Sequence, residues 1–416
     1  MEFQLSYTPE QEEFRTVVRS WIRDNVPPPT SGSADDEDDD DDDGPSPEEY
    51  ARRREIARRL GAKGWLWPTM STEYGGGGLS MDQTIIIDEE LSELGLSRPP
   101  YYDSGGRLGA QSILVWGNEE QKKAYLPPIF KSDVVTWQLL TEPEAGSDLA
   151  SVRTQALRDG DDYVINGHKT FVGGRHLPDQ MWTLCVTDPK APRHENLSWF
   201  MIPITLPGIT VMPLDLLGSG GEGGASSGHK NSVFFDNVRV PAFNLVGGEN
   251  NGWQVASTHL ELKHGGGGRV GRNRFEERIF EYCNTATLDG QPMSKDQDAR
   301  DQLMEMHIYG ETGRLLGLRN FFLVHAKKPR SYGGSQSSYL RKIGGLHLTG
   351  TLGKLLGYTA LVSEAPYGAA DGYAEGQQRS GIIGVHPGGT ADVQKLIIAR
   401  RIGIGRTARE EAGRLE

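Results

Sequence analysis

The chain has 416 residues, 36% hydrophobic and 24% charged, which is too long for one ordinary core and suits two or three packed units. Its net charge is -13, but nine negative charges sit in the run Asp35 to Asp43 and leave -4 on everything else, so a nucleic-acid-binding surface is not expected. Cys185 and Cys283 are the only cysteines, which excludes a disulfide framework and a thiolate metal site; a reducing compartment and no metal are expected.

The N-terminus, Met1 to Ser6, lacks a basic segment followed by an apolar one, and no apolar run reaches membrane-spanning length, so the expectation is a soluble cytoplasmic protein with no membrane partner. A first helix is announced by Thr8, Pro9 and Gln11, a capping-box pattern, with Phe14, Val17, Val18, Trp21 and Ile22 on one face. From Pro27 the chain turns to Pro, Ser, Gly and acid, and residues 27–46 read as a disordered acidic insertion, because self-repelling charge without apolar residues buries nothing. Order resumes at Ser46-Pro47, with a basic helix through Leu60 and further helices over Met81 to Leu94, Leu108 to Trp116 and Glu119 to Tyr125. The segment Gly75 to Gly78 lacks the Gly-Lys-Ser/Thr of a phosphate loop and has no strand before it.

From Val134 the period changes to that of strands, at Val134 to Leu140, Ser151 to Leu157, Tyr163 to Val172, Met181 to Thr187, Leu197 to Ile204, Thr210 to Leu214 and Ser232 to Val238. Asp159-Gly160-Asp161 and Asn166-Gly167 are expected to be hairpin turns. Gly218 to Gly223 matches G-x-G-x-x-G, but a strand follows it, so a dinucleotide fold is not supported. After Gly252 helices return, at Trp253 to Cys283, Gln297 to Lys327, Tyr339 to Ser363 and Thr390 to Arg409, a pattern suited to a bundle. The expected architecture is α+β, with an N-terminal helical domain (1–133), a middle β-barrel-like or sandwich domain (134–250) and a C-terminal four-helix bundle (251–416).

Two segments carry the chemistry. Leu139-Leu140-Thr141-Glu142-Pro143-Glu144-Ala145-Gly146-Ser147-Asp148 sets hydroxyls and backbone amides around a Pro and a Gly, a composition for an exposed loop that hydrogen-bonds carbonyl and phosphate oxygens. Asn166-Gly167-His168-Lys169-Thr170-Phe171-Val172-Gly173-Gly174 follows some twenty residues later. Either alone reads as an ordinary β-domain loop or hairpin. Both together, in this order, resemble the flavin cradle of the acyl-CoA dehydrogenase family, and the helical, β, helical order extends the resemblance over essentially the whole chain.

The resemblance implies FAD as cofactor, an acyl-CoA substrate, and electron-transfer flavoprotein as acceptor. It implies that Leu140, Thr141, Gly146, Ser147, Phe171, Val172 and Gly173 line the cofactor, with Phe171 where the family often has a Trp and Gly173 where it commonly has Thr or Ser near flavin N5. Substrate contacts fall on Ser147, Glu261 and His264. The family's base carboxylate immediately precedes Gly-Thr ahead of the last helix, and here Gly388 stands in that place, followed by Gly389-Thr390. The family's alternative base position, on the first bundle helix, holds Lys263, and Glu261 lies about 200° around the helix from it. The catalytic residue is therefore unassigned, with His264, Glu261 and Arg107 as weak candidates. Arg107 is either a surface Arg or an anion clamp for a carboxylated or sulfur-oxyacid acyl group. The Arg and Phe-Gly that family members lend to a neighbour's cofactor are missing from Asn284 to Gly290, as is Gln-x-x-Gly-Gly from Leu361 to Gly368. These vacancies resemble one subunit of a heteromeric, heterotetrameric member acting on bulky CoA thioesters such as steroid side chains, with a homologous chain supplying the base. Two alternatives stand beside it: a homomeric flavoenzyme carrying out elimination or desulfination on a CoA thioester, and a catalytically silent scaffold subunit.

Overall fold

The computed structural model describes residues 7–26, 47–94, 96, 98, 104–217, 229–263, 274–288, 290–326, 328, 331–364 and 366–404. The acidic run within 27–46, the glycine segments Gly218 to Gly223 and Gly265 to Gly271, and His264 lie outside these described residues. Two compact units form, one of Met1–Leu214 with His229–Leu260, the other of Asp215–Gly228 with Glu261–Glu416.

In the first unit, helices α1 (Pro9–Asn25), α2 (Pro47–Ala62), α3 (Met81–Ser92), α4 (Ser104–Trp116) and α5 (Glu119–Phe130) precede a sheet. Reciprocal capping boxes start three of them, through Thr8 and Gln11, Ser80 and Gln83, and Asn118 and Gln121. Helix α5 continues past Pro127 and Pro128, beyond the expected end at Tyr125, because its last turn buries Leu126, Ile129 and Phe130. Helices α1 and α3 are joined by a partly buried ionic cluster in which Arg15 donates to Glu89 and Glu90, and Arg19 to Glu90.

Eight strands follow: β1 (Thr136–Leu139), β2 (Gln155–Asp159), β3 (Asp162–Val172), β4 (Gln180–Val186), β5 (Leu197–Pro203), β6 (Ile209–Asp215), β7 (His229–Pro241) and β8 (Leu245–Val246). Their order is β6-β7-β3-β2-β4-β5-β8, with β1 beside β4 in parallel. Strands β4 and β5 are buried on both faces. Trp182, Leu184, Trp199 and Met201 join the core that includes Leu91 and Phe130, while Met181, Cys185, Phe200 and Ile202 join a second core with Trp137, Ile165 and Val238. That double burial explains their near-continuous apolar sequences. Helix α4 lies close on this sheet: a β-carbon on Gly105 would fall 2.7 Å from the Trp137 carbonyl, and one on Gly109 would fall 3.2 Å from the Trp182 ring.

One expectation is overturned. Asp159 to Asp162 does form the β2–β3 turn, but Asn166-Gly167 is no hairpin turn; it lies inside the 11-residue strand β3. The pairing of β3 with the 13-residue β7 shifts register between Ile165 and Gly167, which marks a bulge, and Asn166 Oδ1 accepts from the backbone N–H of Asn237 across it. Glycine is needed there because a β-carbon at Gly167 would fall 2.4 Å from the Thr154 hydroxyl.

Helix α6 (Gly252–Lys263) carries the chain into the second unit, which contains α7 (Arg274–Thr285), a small hairpin of β9 (Thr287–Leu288) and β10 (Gln291–Pro292), α8 (Gln297–His325), α9 (Gly333–Leu356), α10 (Tyr373–Ile383) and α11 (Ala391–Arg401). Helix α9 is central, with α8, α10 and α11 packed on it. The expected long helix over Tyr339 to Ser363 instead starts at Gly333 and gives way to a 3-10 turn at Gly357, and α10 is an additional helix. Helix α10 meets α9 glycine to glycine: a β-carbon on Gly381 would fall 2.5 Å from the Gly345 carbonyl.

Candidate active site

The two singled-out segments meet. Thr170 donates its backbone N–H to the Thr141 carbonyl at 2.9 Å, and the Lys169 ammonium donates to the Leu140 carbonyl at 3.1 Å and to Glu142 Oε1 at 2.8 Å. Both ends of that ion pair are buried. Glu142 further accepts from the backbone N–H groups of Arg153 (2.6 Å) and Thr154 (2.9 Å). Burial alone would raise its pKa, but the attraction of Lys169 and these hydrogen bonds outweigh that and hold the carboxyl below its ordinary range. Glu142 also closes a tight turn by exchanging two backbone bonds with Ala145, each 3.0 Å. From that turn Gly146 and Ser147 project into open space. The acids beyond are tied down at the surface, Glu144 to Arg153 and Asp148 to Arg193. This Glu142–Lys169 lock escapes a motif reading; its signal is a lysine placed among inward-facing positions of a strand, with a glutamate in the facing loop.

Strand β3 ends in a second register shift, between Lys169 and Val172, and it re-aims one side chain. Phe171 adopts φ +55° and stands 55% exposed, while Val172 turns into the core. An exposed aromatic ring held in a conformation that L-residues avoid costs about 1–3 kcal/mol, a cost tolerated mainly at functional sites. Neighbouring carbonyls are engaged from β7, where Asn231 Nδ2 donates to Val172 (3.2 Å) and Gly174 (2.9 Å) and Lys230 Nζ to Gly173 (3.1 Å). Gly173 has φ +64°, and any β-carbon on it would fall inside the Trp137 indole. The buried indole of β1 thus occupies the space that a Ser or Thr side chain would need. Gly173→Thr is expected to lower the thermal unfolding midpoint, at a cost of about 1–3 kcal/mol or more from overpacking and backbone strain. An unchanged midpoint would show that Trp137 yields freely.

The open turn at Gly146, the exposed Ser147 hydroxyl and the presented Phe171 ring fit a flat aromatic cofactor carrying phosphates. Of the other sequence candidates, Arg107 lies within α4, and Glu261 and Lys263 within α6, but their side chains lie outside the described residues. Cys185 and Cys283 are no nucleophiles at neutral pH, since burial pushes their pKa values up to about 12 and about 11. Among the described residues no His, Cys, Asp and Glu cluster suits a metal, and no helix is long and apolar enough to cross a membrane.

In the second unit, Gly388 and Gly389 form a left-handed pair, at φ +68° and +83°, just before the Thr390 N-cap of α11. Two buried side chains fasten this turn. Gln394 Nε2 donates to the Gly388 carbonyl at 3.2 Å, and Lys342 Nζ to the carbonyls of Gly384 (3.1 Å) and Pro387 (2.6 Å).

The chain thus runs from helices through a mixed sheet, which holds the loop-and-strand cradle, to helices again. The N-terminal domain of acyl-CoA dehydrogenases matches residues 8–133 and the middle domain residues 138–238. The chain therefore belongs to the acyl-CoA dehydrogenase family, whose members are oxidoreductases acting on CH–CH groups of acyl-CoA. It is 34% identical over 315 residues to acyl-CoA dehydrogenase FadE29 of Mycobacterium tuberculosis, covering 75% of this chain and 76% of the relative. The Tcur3481-Tcur3483 steroid ACAD superposes with a TM-score of 0.78 at 27% identity, covering 98% of this chain and 100% of that one. The ChsE4-ChsE5 complex from Mycobacterium tuberculosis does so at 0.77 and 27%, covering 97% and 100%.

Proposed function

We propose that this chain binds FAD in the cradle formed by Leu139 to Ser147 and Lys169 to Gly174, and serves as one subunit of a heteromeric acyl-CoA dehydrogenase in which a homologous chain supplies the catalytic carboxylate. The observation that carries this reading is the left-handed Gly388–Gly389 turn ahead of Thr390, at the place where the resemblance puts the family's base carboxylate. A bound flavin would supply the hydride-accepting chemistry of the family, with a carboxylate of the partner chain to take the substrate's α-proton. This chain's part is positioning. Phe171 would lie against the ring system and exclude water, Ser147 and the Gly146 backbone would hold the phosphates, and the Leu140–Thr141 and Val172–Gly173 backbones would hold the ring edge. Two neighbours support a two-chain assembly and a steroid-like substrate: one is a ChsE4-ChsE5 complex, the other a steroid ACAD. A CoA thioester with a bulky acyl group, an electron-transfer flavoprotein as acceptor and a cytoplasmic location complete the proposal.

The test is a visible absorption spectrum of the chain purified alone and after coexpression with a homologous dehydrogenase chain. Stoichiometric flavin in the coexpressed complex, and weak or no flavin alone, is the expected result; no flavin in either preparation contradicts it. Phe171→Ala in the complex should weaken flavin retention or shift its visible bands. An unchanged spectrum and affinity would place the ring elsewhere.

A further inference from the structure

Strand β3 ends with one residue more than β7 can pair. Lys169 faces Val233 and Val172 faces Asn231, so three steps along β3 match two along β7 and one residue is extra. Even pairing would instead set Phe171 opposite Asn231 and Val172 opposite Lys230. Directly opposed residues share a face of the sheet, so that register would turn Phe171 to the side on which Lys169 and Val233 are buried and send Val172 outwards. A slip of one residue thus exchanges the aromatic ring that the cradle presents for an aliphatic side chain.

The even register has much in its favour. It buries the larger apolar side chain, relieves Phe171 of its φ of +55°, and restores regular pairing. Two successive residues of β7 oppose it by holding three successive carbonyls at the end of β3. Asn231 Nδ2 donates to those of Val172 (3.2 Å) and Gly174 (2.9 Å), and Lys230 Nζ to that of Gly173 (3.1 Å). Asn231 is buried, so loss of its bonds would strand polar groups away from water. Its two acceptors flank Gly173, whose φ of +64° turns the chain between them. Even pairing would move Val172 from its place opposite Asn231 and break that bridge.

We infer, on the flavin reading proposed above, that Asn231 is a positioning residue for the cofactor: its bridge across Gly173 keeps the extra residue in β3 and so selects Phe171, not Val172, as the side chain presented to the ring.

The register is tested on the full chain without any cofactor. With 4-fluorophenylalanine at position 171, the fluorine resonance should be broadened by a soluble paramagnetic agent, and Asn231→Leu should cut that broadening about tenfold as the ring turns inward. Val172→Cys should react slowly with a thiol reagent and about tenfold faster once Asn231→Leu is added, against little background because Cys185 and Cys283 are buried. A ring that stays exposed while the thiol reacts faster would mean that Asn231 merely stiffens the strand; that result, or no change in either reading, overturns the inference. A melting curve checks the fold. Should Asn231→Leu not fold, Lys230→Met, which releases only the Gly173 carbonyl, should give the same two changes on a smaller scale, and unchanged readings there would overturn it equally.

In the coexpressed complex, Asn231→Leu should weaken flavin affinity about tenfold, yet cost little in a Phe171→Ala background, because it acts through that ring. An equal cost in both backgrounds contradicts the positioning role. If no complex retains flavin, the cofactor reading fails and takes the role of Asn231 with it; the fluorine and thiol readings, which need no flavin, tell that result from a failure of the register.

Discussion

Glu142→Gln is expected to destabilise the chain by about 3–5 kcal/mol, since it leaves the fully buried Lys169 ammonium without its counter-charge. Flavin binding should fall with it, because Lys169 also holds the Leu140 carbonyl and so fixes one cradle segment to the other. Lys169→Met should do comparable damage by stranding the carboxylate. The double variant Glu142→Gln/Lys169→Met should be less destabilised than the two single losses added together, as removal of both charges relieves the unpaired one. Chemical denaturation of the four proteins checks the cycle; strict additivity would mean that the pair is not coupled. The pH dependence has a definite sign. Glu142 has a folded-state pKa below its ordinary value, so its contribution is fully present above the ordinary carboxylate range and is lost as pH falls through the lowered value. Acid should therefore weaken the wild type more than the double variant.

The second large effect is an absence of rescue. Placing a carboxylate by Gly388→Glu is expected to leave the isolated chain inactive, although a positioned base is worth about a hundred- to ten-thousandfold in rate. A glutamate at φ +68° is strained, and the turn is fixed from behind by Gln394 and Lys342, so the backbone is not free to relax to the form a base would need. A melting curve should show a loss of about 1–3 kcal/mol, and single-turnover assays should show no gain. Recovery of substantial turnover by this one substitution would mean that the turn adapts.

Much of this was legible in the residues. Capping at Thr8, the change of period near Val134 and the two cradle segments led to the fold class and the family because each depends on local pattern. What was illegible depends on long-range packing. Asn166-Gly167 has the composition of a turn, but pairing along β7 pulls it into a bulge; Tyr373 to Ile383 has no apolar stripe, because its glycine contacts to α9 need small residues rather than large ones. At the candidate site, Phe171 and Gly173 could be singled out from the motif, whereas Trp137 beneath Gly173 and the Glu142–Lys169 lock required knowing which strands lie side by side. Gly388 ahead of Gly389-Thr390 was readable in the sequence, but its left-handed backbone was not.

Steady-state turnover of a saturated acyl-CoA with an artificial electron acceptor addresses the subunit assignment most directly. The chain is assayed alone, with mass spectrometry excluding any homologous partner, and then in complex with such a partner. The expected result is negligible activity alone and ordinary turnover in the complex, lost when a carboxylate of the partner is removed. Turnover by the chain alone at about ten per second, the usual enzyme scale, would contradict the assignment.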